Sequence, residues 1–86
     1  MRLVFHREFE KRYKKLKSGD KLRFKERASL FLENPYHPVL NNHALRGKYS
    51  GFRSINISGD LRAIYELIDN DIAFFITVDT HSKLYN

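Results

Sequence analysis

No cysteine occurs among the 86 residues, which rules out disulfides, thiolate metal ligands and a cysteine nucleophile within the chain. Long apolar runs are missing too. The longest after the N-terminal Leu3-Val4-Phe5 is Ile72 to Ile76, far short of the roughly 18 residues a membrane span needs. Nor is there a glycine-rich phosphate loop, an internal repeat, a low-complexity tract or a linker. The reading that remains is a soluble, unprocessed, cytoplasmic protein, one domain over residues 1–86, with no membrane partner and no resident cofactor.

A domain of this length buries only roughly 60% of the surface its unfolded chain exposes, so one modest core is available. Seven Phe and five Tyr supply it, because each ring removes much apolar area from water for few rotatable bonds. The formal net charge is +6, and its position says more than its size. Between Arg7 and Arg27 stand ten Lys or Arg against four acids, while the rest of the chain carries six of each sign. Such a segment fits a solvated helical face, and equally an electrostatic footprint for a polyanion or an acidic protein.

Leu3 to His6 reads as a short strand. From Arg7 the period changes, and Phe9, Tyr13 and Leu16 recur at helical spacing among charges. Ser18-Gly19-Asp20 punctuates the pattern, with Gly19 suited to a helix C-cap and Ser18 or Asp20 to the next N-cap. A second helix then offers Phe24, Ala28, Phe31 and Leu32 to one side and ends before Asn34-Pro35. Tyr36 to Asn42 has loop composition. The remainder is β in character: Phe52 to Ile57 alternates, Leu61 to Ile68 is rich in strand formers, and Ile72 to Val78 is nearly continuous apolar sequence. Ser58-Gly59 and Asp69-Asn70-Asp71 are tight connections, so these strands form an antiparallel meander. The predicted class is α+β, in the order β-α-α-β-β-β, with a helical hairpin on one face of the sheet and the other face open.

That open face holds the candidate chemistry. Ile55 and Ile57 share a parity, which sends Ser54 and Asn56 to the opposite side, where Arg62 also falls. RNA can be cut without a metal, because its own 2′-OH can attack the adjacent phosphate. The reaction needs a base for that hydroxyl, an acid for the departing 5′-oxygen, and cations for the phosphorane-like charge. Histidine serves either proton-transfer role near neutral pH. Of the four histidines, His6 ends a strand entering a helix and His37 lies in a Pro35-Tyr36-His37-Pro38 turn, both structural positions. His43 and His81 flank the meander and are the catalytic candidates. The scattered spacing gives no zinc site. Arg53 and Arg62 read either as partners of Glu66 or Asp60 or as forks for phosphate. Asp60 either closes its turn or assists proton transfer, and Tyr85 either caps the core or stacks on a base.

The stretch from His43 to Tyr65, with His43-Ala44-Leu45-Arg46-Gly47, Gly51-Phe52-Arg53 and Gly59-Asp60-Leu61-Arg62, followed by Thr80-His81-Ser82-Lys83-Leu84-Tyr85, resembles the RelE/ParE toxin superfamily. Within it, the resemblance is to the YafQ-like messenger-RNA interferases of bacterial type II toxin–antitoxin systems. The element order agrees over the whole chain, and the sequence likeness is strongest in the C-terminal half. It implies a metal-independent endoribonuclease that cleaves messenger RNA at the ribosome and is neutralised by a cognate antitoxin. Carried over by position, His81 is the general acid, His43 and Asp60 assist proton transfer or orientation, and Arg53 contacts phosphate. Lys48 and Arg62 add positive charge, and Asn56 and Tyr85 complete the RNA-binding set. The chain departs from the YafQ pattern at Asn56, where a histidine stands in the family, at Ser54 for an aspartate and at Leu61 for a tryptophan. Asn56 can donate a hydrogen bond but cannot take a proton at physiological pH, so the base falls to His43 or Asp60. Two other readings share the fold: a non-enzymatic ParE-like toxin that binds gyrase, and an inactive relative that binds only its antitoxin.

Overall fold

The computed structural model describes residues 1–85. The chain runs β1 (Arg2–Phe5), α1 (Arg7–Lys14), α2 (Ser18–Glu33), a 3₁₀ turn (Pro38–Leu40), β2 (His43–Ala44), a second 3₁₀ turn (Gly47–Tyr49), β3 (Arg53–Asn56), β4 (Leu61–Ile68), β5 (Ile72–Thr80) and α3 (His81–Leu84). The five strands form one sheet in the order β1-β5-β4-β3-β2. β3 to β5 pair antiparallel as their tight connections require, β2 adds antiparallel to β3 at the edge, and β1 pairs parallel to β5, with Phe5 opposite Phe75. The helical excursion between them makes that parallel pairing possible. Asp69 and Asn70 both take left-handed backbone angles, φ 52° and 59°, which closes the β4–β5 hairpin with the twist its strands demand.

Both helices form because their apolar residues share a face. α1 buries Phe9 and turns Tyr13 the same way, while α2 buries Phe24, Ala28 and Phe31. These side chains meet Ile55, Ala63, Tyr65, Ala73 and Phe75 from the sheet. Phe75 is the hub, with ring centroids 5.2 to 6.0 Å from those of Phe5, Phe9, Phe24, Phe31 and Tyr65. Burying each such ring contributes roughly 1.5–3 kcal/mol, so this aromatic knot sets where the helices sit.

Several expectations need correction. Leu32 is exposed, because it lies about 100° around the helix from Phe31 and off the buried stripe. Gly19 does not cap α1. The chain reverses earlier, over Lys15 to Lys17, through short-range bonds from the Lys15 and Leu16 N–H groups to the carbonyls of Arg12 and Tyr13. Ser18 and Gly19 already belong to α2, and Lys17 holds the cap position with no side-chain bond.

The second sheet face is also less open than expected. Ile64 and Leu84 are buried but stand outside the main core, since α3 folds back over that face and seats Leu84 there. A β-bulge between β4 and β5 decides which side chains reach it. Ile64 pairs with Thr77 but Tyr65 with Phe75, leaving Ile76 without a partner. The alternation slips by one residue, so Phe75 and Val78 both face the helices while Thr77 and Asp79 turn to the other side.

Candidate active site

His43 belongs to the two-residue edge strand β2, where it pairs with Ser54. Just before it, Asn41 takes a left-handed conformation, φ 44°, as the 3₁₀ turn ends. That bend brings the Asn41 carbonyl 2.8 Å from His43 Nδ1. A carbonyl can only accept, so Nδ1 carries the proton and the neutral ring keeps its lone pair on Nε2. His43 is thereby prepared as a proton acceptor.

His81 opens α3 directly after β5. Its N–H donates to the Asp60 carbonyl at 2.8 Å, and Thr80 caps the turn by accepting from the Lys83 N–H at 3.4 Å. The ring is exposed and packs on Tyr85, with centroids 4.8 Å apart. Tyr85 in turn stands edge-on to Tyr49.

His43 and His81 line one cleft of about 450 Å³ together with Arg46, Arg62 and Tyr85. No carboxylate lines it among the described residues. Arg62 is held by the β3–β4 turn: its Nη1 donates to the carbonyls of Ser58 at 3.0 Å and Leu61 at 3.2 Å, and Nη2 donates to that of Gly59 at 3.3 Å. Neither Arg62 nor Arg53 pairs with a carboxylate among the described residues. Arg46 had no assigned role in the sequence reading. Its position three residues after His43 on the same edge segment was the available signal.

The other expected residues lie apart from this cleft. Asp60 presents its backbone carbonyl to His81, while its exposed side chain lies outside the lining. Asn56 pairs with Arg62 on the same sheet face, but it borders a separate depression near Arg23 and Arg27; its Oδ1 is buried without a partner. Lys48 stands over the Tyr49 ring, 5.3 Å from its centroid, and lines a neighbouring cleft of about 470 Å³ with Thr77, Asp79 and Lys83. Arg53 is on the opposite face: it pairs with Tyr65, shares parity with Ile55, and donates from Nε to Asn42 Oδ1 at 2.8 Å. Asn42 passes the connection on, donating to the Tyr65 hydroxyl at 2.7 Å and the Pro35 carbonyl at 2.9 Å. Arg53 therefore pins the loop to the core side. His6 and His37 are structural as expected, each accepting through Nδ1 from a backbone N–H two residues on, at 2.9 and 3.1 Å. Among the described residues no three His, Asp or Glu side chains converge as metal ligands.

A helical pair on a five-stranded, mostly antiparallel sheet is the architecture of RelE-like toxins. YafQ from E. coli strain BL21(DE3) superposes with a TM-score of 0.82 at 24% identity, covering 98% of this chain and 97% of that one. The YoeB/ParE toxin from Agrobacterium tumefaciens superposes with 0.77 at 16% identity, covering 94% and 99%. YafQ in the E. coli DinJ–YafQ complex gives 0.71 at 24%, covering 98% and 97%. No curated protein matches by sequence. The family model described as bacterial toxin of type II toxin–antitoxin system, YafQ, matches residues 1–86, and the chain belongs to that family.

Proposed function

We propose that this toxin is an endoribonuclease that cuts messenger RNA by acid–base chemistry between His43 and His81. The observation that carries the reading is the cleft itself, where a histidine fixed as acceptor faces the same space as a second histidine and two arginines, with no carboxylate among the described residues of the lining to repel a phosphodiester. His43 Nε2 takes the proton of the 2′-OH as its oxygen attacks the phosphorus. The bond to the 5′-oxygen breaks, and His81 returns a proton to that oxygen. The products are a 2′,3′-cyclic phosphate and a 5′-hydroxyl. Arg46 and Arg62 neutralise the charge that accumulates on the non-bridging oxygens. Tyr85 offers its ring face to a flanking base. Asp60 acts through its carbonyl, by holding the His81 turn. The chemistry draws on no metal.

A cognate antitoxin is the proposed protein partner, by analogy with the DinJ–YafQ pair. An acidic segment suits the ten cations concentrated between Arg7 and Arg27. The proposed substrate is message held on the ribosome.

The test is cleavage of a defined message by purified protein, with ribosomes and a chelator present and the new RNA ends mapped. Cutting should occur, and His43→Ala and His81→Ala should each suppress it about 10²- to 10⁴-fold, the usual weight of one proton transfer. Intact message with all components present would sink the reading. Growth arrest that survives both substitutions while gyrase supercoiling is inhibited would favour a ParE-like poison instead.

A further inference from the structure

The turn that carries His81 is tied to a helix 67 residues earlier in the chain. Asp79 lies two residues before His81, and the bulge at Ile76 turns it away from the core. One of its oxygens, Oδ1, accepts from the Thr80 N–H at 2.8 Å, and Oδ2 accepts from Arg12 Nη1. Arg12 meets Asp79 beyond the stretch of β5 that pairs with β1, and its Nε donates to Glu8 Oε2 at 2.5 Å, one helical turn back. Asp79 is only 16% exposed, against 46% for Arg12. In the sequence Arg12 is one of the ten cations of a solvated helical face or a polyanion footprint, and Asp79 carries no expected role.

We infer that Arg12 is a positioning residue for His81, acting through Asp79; the inference rests on the reading of His81 as the proton donor. α3 has only four residues and cannot fix its own orientation by length. Its first residue is held by the Asp60 carbonyl behind and by the Asp79–Thr80 bond beside it. That second hold depends on the Asp79 carboxylate keeping one rotamer, and Arg12 sets the rotamer by occupying the other oxygen. Glu8 limits the swing of Arg12 in turn. Without the guanidinium a largely buried carboxylate is left unpaired and turns toward water, releasing the Thr80 N–H. A displacement of about 1 Å at a catalytic group can cost on the order of 100-fold in rate, so the effect belongs in kcat.

The experiment compares Arg12→Met, Asp79→Asn and the double variant in the message-cleavage assay, alongside amide hydrogen exchange of the folded proteins. Each single variant should lower kcat about tenfold or more with KM changed less than about twofold. The double variant should be no worse than Asp79→Asn alone. Amide exchange at Thr80 and His81 should quicken in Arg12→Met while exchange in β4 stays slow. Raised KM at unchanged kcat would make Arg12 a substrate contact, and additive losses would make the two residues independent; either overturns the inference. If Arg12→Met does not fold, Asp79→Asn decides, and wild-type kcat in that variant overturns it. His81→Ala separates the two levels. Cleavage that survives His81→Ala removes the nuclease reading, whereas His81-dependent cleavage with intact rates in Arg12→Met and Asp79→Asn removes only the positioning role.

Discussion

Two histidines of equal rank in the sequence receive different treatment from the fold. The Asn41 carbonyl gives His43 a fixed tautomer, while His81 is held through its backbone and its ring nitrogens bond to no other group among the described residues. His43 and His81 were legible as candidates because they flank the meander, but nothing in the spacing revealed that Asn41 would turn left-handed and prepare one of them. Arg53 shows the opposite failure. Its parity with Ile55 and Ile57 was readable, and it already placed the residue on the helix side, away from His43. Two predictions belong to this scale. Asn42 satisfies the Tyr65 hydroxyl, the Pro35 carbonyl and Arg53 Nε together, so Asn42→Ala should lose about 1–3 kcal/mol in urea unfolding. Burial raises the Tyr65 phenol above its ordinary value of 10, an effect only partly offset by the Asn42 bond. The unfolded chain therefore releases that proton first. The contribution is complete below pH 10 and is lost as pH climbs through the higher folded value, so Tyr65→Phe should flatten the alkaline fall in Tm.

Elements were easier to foresee than their ends. Helical spacing marked both helices, alternation marked β3, and strand-forming residues and a nearly continuous apolar run marked β4 and β5, because burial shapes the sequence of each element. The two-residue β2 and four-residue α3 escaped, being too short to show any period. The parallel attachment of β1 escaped as well, since pairing partners 70 residues apart leave no local trace. The segment joining β2 to β3 depends on glycine at one place above all. Gly51 has φ 94°, where a side chain is strained even though nothing lies within 4 Å of its missing Cβ. Gly51→Ala should thus cost roughly 1–2 kcal/mol through backbone strain alone, seen as a lower Tm. The same variant should disturb Tyr49 and Tyr85, whose rings meet across this segment, and their near-ultraviolet signal would report it.

At the scale of the whole molecule, charge and core are divided between faces. The composition foretold one core, and Phe31 is fully enclosed in it, 0% exposed and set against both Tyr65 and Phe75. Phe31→Ala should remove about 3–5 kcal/mol, enough to unfold a domain whose total stability is of order 5–15 kcal/mol, and loss of the cooperative thermal transition would show it. The excess of +6 predicts salt-sensitive binding to RNA. If about four phosphates of a single strand are engaged, affinity should fall roughly 50-fold between about 50 and 200 mM salt, which a filter-binding titration can measure. The unpaired Ile76 has a wider consequence. A strand reads in a frame of two, and this one residue shifts the frame before the strand runs out into the His81 turn. Were Ile76 instead paired in a regular ladder, the downstream residues would stay chemically unchanged but be transposed: Val78 would meet water, Thr77 and Asp79 would be driven into the aromatic core, and every side chain the turn delivers would arrive from the wrong side. The arrangement that brings the two histidines into one cleft therefore depends on Ile76 standing out of the ladder as much as on the identity of any residue lining the cleft.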